Sequence, residues 1–122
     1  MKRILVIDDS EVNLFLINSI FENEPDIQIH ILSKSDKALS VLREGNFDLI
    51  ILDLMMPHID GFQLLAEIKS DVELKGIPVI VVSARQDKEA EQEVRKYGIE
   101  EYIRKPINLK SIENKIRSVI QV

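Results

Sequence analysis

Apolar residues along this chain keep two different rhythms. The runs at residues 4–7, 49–52 and 79–82 are unbroken, as in strands whose two faces are both covered. In contrast, Ile27, Ile29 and Ile31 alternate with Gln28 and His30, the pattern of a strand with one wetter face and a place near a sheet edge. Tyr102-Ile103 is a short candidate for a fifth strand. Between these segments the period lengthens to that of a helix. Ser10 opens a stretch to about residue 24 with Leu16, Ile17, Ile20 and Phe21 on its core face, Leu14 at the boundary and Phe15 opposite. Ser35 can cap a second helix that carries Ala38, Leu39, Val41 and Leu42 and stops near Gly45. A third follows Gly61 with Phe62, Leu64, Leu65 and Ile68. The fourth, about residues 87–97, has only a thin stripe of Ala90, Val94 and Tyr97. The last starts at Asn108 and repeats Leu109, Ile112, Ile116 and Val119.

Strand and helix alternate five times, which implies a parallel sheet covered on both faces and joined by right-handed crossovers. The three wholly apolar strands belong in its middle and the alternating second strand outside them. The fold class is therefore α/β, a (βα)5 doubly wound five-stranded parallel sheet in the flavodoxin-like order 2-1-3-4-5. All 122 residues are assigned to one domain.

Composition narrows the function more than the fold. A net charge of -5 provides no basic patch, so direct nucleic-acid binding by this segment is not expected. Cysteine is absent, which excludes disulfides, thiol catalysis and thiolate metal sites. No apolar stretch reaches the roughly 18 residues of a membrane span and no signal-peptide pattern precedes the first strand. The expected location is the cytoplasm, with no membrane partner. His30 and His58 read as edge-strand and loop surface residues rather than ligands.

The chemistry gathers at strand ends. Asp8 and Asp9 leave the first apolar run and Asp53 closes the run at 49–52. Carboxylates at the mouth of a buried strand are costly unless a positive charge joins them. In an open parallel sheet the ligand crevice lies at the carboxyl ends of the strands, at the switch point between strands 1 and 3. Ser83, after the fourth strand, and Lys105, after the fifth, reach the same edge. Oxygen ligands alone favour a hard cation, and Mg²⁺ beside a phosphate fits better than a calcium cage. Asp53 is the natural nucleophile of the set, because a carboxylate can accept a phosphoryl group as an acyl phosphate.

With these residues in view, the chain resembles the receiver domains of two-component response regulators. The resemblance rests on VIDDSEVN around Asp8-Asp9, LIILDLMMPHIDG around Asp53, VIVVSA ending at Ser83-Ala84, and EYIRKPI around Lys105-Pro106. It covers residues 2–120, and the four segments stand in the family's order and spacing. It implies that Asp53 is the phosphoacceptor, charged by a histidine kinase or histidine phosphotransfer protein. Asp9 and Asp53 would ligate Mg²⁺ directly, with Mn²⁺ able to substitute, Asp8 through water, and the Met55 backbone carbonyl as a further ligand. Ser83 would bind phosphoryl oxygens and Lys105 would pair with the phosphate. Pro106 would follow a cis peptide that turns Lys105 inward. Tyr102 would be an aromatic switch moving with Ser83, and the surface of helix 4, strand 5 and helix 5 would change on phosphorylation and could support a dimer. Phosphodonors of this family dock near helix 1 and the loop after strand 5, which here means Leu14, Phe15 and Pro106.

The same residues admit plainer readings. A strand-end Asp can simply cap the next helix, Tyr102 can be a half-buried residue packed on the last helix, and a lone exposed Phe15 is ordinary. As a function, the resemblance implies a switch that catalyses its own phosphorylation and dephosphorylation rather than a turnover enzyme. Its rivals are an aspartyl-phosphate phosphatase, a flavin or nucleotide carrier, and an interaction module independent of phosphorylation. A phosphatase commonly carries a general acid two residues after its nucleophile, where this chain has Met55. A flavin carrier wants a hydroxyl- and glycine-rich loop after strand 1, where this chain has Asp8-Asp9-Ser10-Glu11. Met55 and Arg85 would flank the path of the hydrolytic water. Met55 cannot hydrogen-bond that water, so slow autodephosphorylation is expected unless Arg85 positions it.

Overall fold

A computed structural model describes residues 1–33, 37–54, 61–85 and 87–121. Five parallel strands, β1 (Lys2–Ile7), β2 (Ile27–Leu32), β3 (Leu49–Asp53), β4 (Val79–Ser83) and β5 (Glu101–Arg104), alternate with five helices. The helices are α1 (Glu11–Ile20), α2 (Ala38–Gly45), α3 (Gly61–Ser70), α4 (Lys88–Arg95) and α5 (Leu109–Ile120). The sheet order is β2-β1-β3-β4-β5, the flavodoxin-like order expected from the positions of the apolar runs.

Side chains of successive strand residues go to opposite faces, so each apolar run feeds two cores. Ile4, Val6, Leu49, Ile51, Ile80 and Val82 meet Leu14, Ile17 and Phe21 from the α1 segment and Ile112, Ile116 and Ile120 from α5. Leu5, Ile7, Ile50, Leu52, Val79 and Val81 meet residues from α2, α3 and α4 on the other face. β3 and β4 are buried throughout, which is why their sequences show no alternation. β2 is an edge strand, and its Ile31 is half-exposed at 53%.

Helix starts follow their caps. The side chains of Ser10, Asp87 and Asn108 each accept a backbone N–H three residues on, at Asn13, Ala90 and Ser111. Ser35, the expected cap of α2, lies outside the described residues.

Several packing expectations are corrected. Leu14 is not at a boundary: it is buried (4%), and the core stripe of α1 runs through Leu14, Ile17 and Phe21, with Leu16 and Ile20 half-buried beside it. The stripe is rotated because the helix rests on β2 and α5 rather than centring on its densest apolar cluster. α1 also ends at Ile20, earlier than residue 24. Tyr97 is exposed because α4 ends at Arg95 and the chain turns through Gly98, whose φ of 77° suits glycine. In α5, Leu109 is exposed and Ile120 is buried, while Val119 only flanks the core. His30 is not a free surface residue: its Nε2 lies 3.1 Å from Arg3 Nη2 and its ring meets Phe47 edge-on at 5.4 Å.

Candidate functional site

Strand register assembles the site. Ile7 pairs with Leu52 across β1 and β3, Asp53 with Val82 across β3 and β4, and Ser83 with Arg104 across β4 and β5. The residues that follow these pairs therefore emerge side by side at one sheet edge. The Lys105 N–H donates to the Ser83 carbonyl at 2.9 Å, which carries the alignment past the end of β5.

Asp8, Asp9 and Asp53 each place a carboxylate oxygen within 4.8 Å of the others. Asp8 and Asp53 are buried at 2% and 1%, whereas Asp9 is exposed. Lys105 Nζ donates to Asp53 Oδ2 at 3.1 Å and stands 3.5 Å from Asp8 Oδ2. Among the described residues the cluster holds three carboxylates and one ammonium. That balance, with oxygen donors only, suits a hard divalent cation, so the residues present fit the implied metal. Met55, whose carbonyl was expected to complete the ligand set, lies outside the described residues, as does His58.

Asp8 has a second occupation that sequence reading offered only as the plain alternative. Its Oδ1 accepts the Ser10 N–H at 2.9 Å and its Oδ2 accepts the Asn13 side-chain amide at 3.3 Å. Both roles coexist: the carboxylate braces the turn into α1 and faces Lys105. Asn13 had not been singled out as a site residue. Its place in the first turn of α1, five residues after Asp8, was the available signal.

Ser83 is fully buried, and its Oγ accepts the Arg85 N–H at 3.0 Å. Tyr102 is not packed on α5: it lies buried on the α4 face, and its hydroxyl donates to the Arg85 carbonyl at 2.8 Å. The Lys105–Pro106 peptide is cis. The Arg85 guanidinium, expected near the site, instead binds both oxygens of Asp87 at 3.0 and 2.9 Å and lies 5.7 Å from the Phe62 ring centroid. That pair holds the Asp87 carboxyl below its usual range and raises Arg85.

Gly61 supports the site from beneath. A Cβ there would lie 2.4 Å from Leu54 Cα and 2.5 Å from Leu54 O, so only glycine lets α3 start against the residue that follows Asp53.

The model of the response regulator receiver domain matches residues 4–117. The chain belongs to that family. It is 34% identical over 119 residues to the polar-differentiation response regulator DivK of Brucella ovis, covering 98% of this chain and 96% of the relative. Among solved structures it is similar to the signal receiver domain of a DNA-binding response regulator from Colwellia psychrerythraea, with TM-score 0.91, 27% identity and full coverage of both chains. It also resembles the Mn²⁺-bound form of response regulator Rcp1, with TM-score 0.82, 28% identity, and 98% and 91% of the two chains covered. Receiver domains bind a divalent metal at an acidic pocket and exchange signals with histidine kinases or phosphotransfer proteins. No helix among the described residues of this receiver is long and apolar enough to cross a membrane.

Proposed function

We propose that this receiver is a phosphorylation-controlled switch whose phosphoacceptor is Asp53. The observation that carries this reading is the placement of a buried Asp53 carboxylate 3.1 Å from Lys105 Nζ and within 4.8 Å of Asp8 and Asp9. The Asp53 carboxylate attacks phosphorus of a phosphohistidine. The P–N bond breaks with its electron pair returning to the imidazole, whose second nitrogen carries the proton that leaves the ring neutral. Lys105 pairs with the arriving negative charge, and the Ser83 hydroxyl donates to a phosphoryl oxygen.

Asp8, Asp9 and Asp53 would hold Mg²⁺, or Mn²⁺ in its place. Bound there, the metal supplies charge neutralisation for phosphoryl oxygens. Met55 and Arg85 then set how long the acyl phosphate lasts. With Arg85 engaged by Asp87 and no hydrogen-bonding side chain at Met55, hydrolysis is slow.

The phosphodonor is a histidine kinase or phosphotransfer protein. Its docking surface includes Phe15, exposed at 70%, and Val12, exposed at 67%, on the outer side of α1. The buried Leu14 only floors this surface. Pro106 is also exposed, beside Lys105. The α4–β5–α5 face is the output surface and a candidate dimer face. The protein is cytoplasmic and acts stoichiometrically rather than as a turnover enzyme.

Incubation with a small acyl-phosphate donor and Mg²⁺, read by intact mass, tests the reading. One phosphoryl group per chain is expected, lost in Asp53→Asn. Phosphate released in many-fold excess over protein would favour the phosphatase reading, and an unmodified parent protein would overturn the proposal.

A further inference from the structure

The backbone of residue 85, unlike its side chain, sits at a junction that the phosphoacceptor reading does not use. Its N–H donates to Ser83 Oγ at 3.0 Å and its carbonyl accepts the Tyr102 hydroxyl at 2.8 Å. One residue therefore touches both parts of the expected switch through its backbone alone. Backbone groups cannot choose their position; something must hold the residue that carries them. Here the side chain does so. Arg85 Nε and Nη2 grip the two oxygens of Asp87, and Asp87 Oδ2 also accepts the Ala90 N–H at 3.1 Å as the N-cap of α4. The guanidinium also lies against the Phe62 ring of α3. The ends of β4 and α4 are thus joined by a planar two-bond clasp, the geometry for which arginine is suited.

The chemistry of the hydroxyl gives this clasp a direction. A serine hydroxyl has one proton to donate and lone pairs to accept with. When Ser83 Oγ accepts from the Arg85 N–H, its proton stays available for another acceptor at the strand-end edge. When the Arg85 carbonyl accepts from Tyr102, the phenol is kept in its buried position.

We propose that the Arg85–Asp87 clasp is a positioning device: it pre-sets the residue-85 backbone so that Ser83 is poised as a donor and Tyr102 is held inward before any phosphoryl group arrives. Asp87 is a positioning residue that acts through Arg85, and it favours the phosphoryl-receptive form. The proposal rests on the phosphoacceptor reading of Asp53. Both side chains are partly exposed, 43% each, so the bias is modest, as for other surface pairs.

The test is titration with fluoroberyllate and Mg²⁺, a mimic of the acyl phosphate, in a Tyr97→Phe background where Tyr102 is the sole tyrosine. The parent is compared with Asp87→Ser, Arg85→Gln and the double variant. Serine still caps α4 but cannot grip a guanidinium, so Asp87→Ser should keep its thermal midpoint. Each single variant should bind the mimic about two- to fivefold more weakly, and the double variant no more weakly than the worse single one. The Tyr102 ring resonances should broaden or shift in both singles. Arg85→Gln reports from the other end of the clasp should Asp87→Ser fold poorly. Mimic affinity equal to the parent in Arg85→Gln, losses that add in the double variant, or an undisturbed Tyr102 signal would overturn the clasp while leaving Asp53 as acceptor. A parent that binds no fluoroberyllate would instead overturn the phosphoacceptor reading, and the clasp with it.

Discussion

Lys105 Nζ sits 3.1 Å from Asp53 Oδ2, although 52 residues separate the two along the chain. This contact brings the end of β5 to the end of β3, across the intervening β4. It places the cluster's ammonium against its most deeply buried carboxylate. Removing the ammonium leaves Asp8 and Asp53 buried beside Asp9 without it. Lys105→Met should therefore lower unfolding free energy by about 2 kcal/mol in metal-free buffer, and saturating Mg²⁺ should restore part of the loss. Urea unfolding with and without Mg²⁺ measures both effects; a variant as stable as the parent in metal-free buffer would contradict the assignment.

Three carboxylates within 4.8 Å repel one another. Asp9 is the exposed member, so its removal relieves repulsion at small desolvation cost. Asp9→Ala should be more stable than the parent by about 0.5–1 kcal/mol without divalent metal. The order should reverse as Mg²⁺ is added, because the parent gains about 2.7 kcal/mol at a hundredfold excess over its Kd and the variant gains less. Crossing melting curves across a Mg²⁺ titration are the expected result.

Gly61 and Gly76 make a matched pair. An added Cβ at Gly61 meets the Leu54 backbone at 2.4 Å, whereas at Gly76 it meets nothing within 4 Å. Gly61→Ala should cost about 1–3 kcal/mol and slow acceptance of a phosphoryl group by the neighbouring Asp53. Gly76→Ala should be neutral or stabilise by about 0.5 kcal/mol through the unfolded chain. Unfolding curves of the two variants against the parent check the contrast.

Acid sensitivity has identifiable sources. The Arg43 hydrogen bond to Asp71 and the Arg95 hydrogen bond to Glu91 hold these carboxyls below their ordinary values of 3.8 and 4.5. A carboxyl depressed in the folded state stabilises the fold above its unfolded value. That contribution fades as pH falls from about 4.5 into the depressed range. Arg43→Gln and Arg95→Gln should each flatten the decline in stability below pH 4.5 and leave its pH dependence near neutrality unchanged. Unfolding free energies measured from pH 7 to pH 3 give the slopes.

Phe15→Glu changes a side chain outside both cores. It should leave the melting temperature and phosphorylation by a small acyl phosphate unchanged, while slowing transfer from the cognate phosphohistidine by about tenfold. Equal transfer rates would remove Phe15 from the docking surface.

Sheet order was legible because burial on two faces leaves an unbroken apolar run, as at β1, β3 and β4, and burial on one leaves alternation, as at β2. The strand-end acids were equally legible, since charge next to such a run calls for compensation. Rotation about a helix axis was harder to read. Leu14 and Leu16 are both plausible core residues by spacing, and only the seat of α1 against β2 and α5 places Leu14 inside. The Arg85–Asp87 clasp was hidden for a different reason: arginine and aspartate two apart in a polar segment resemble ordinary surface charge.

The amino-acid order by itself determined which segments are strands, that the sheet is parallel, and that Asp8, Asp9, Asp53, Ser83 and Lys105 share one edge. These follow from hydrophobic period and from the handedness of βα crossovers, which act locally. Tertiary structure alone decided that Lys105 contacts Asp53 as well as facing Asp8, that Asn13 braces Asp8, and that Tyr102 bonds the Arg85 carbonyl. Those choices depend on distances of a few ångströms between residues far apart in sequence. Only strand register and the close packing of the two cores set such distances.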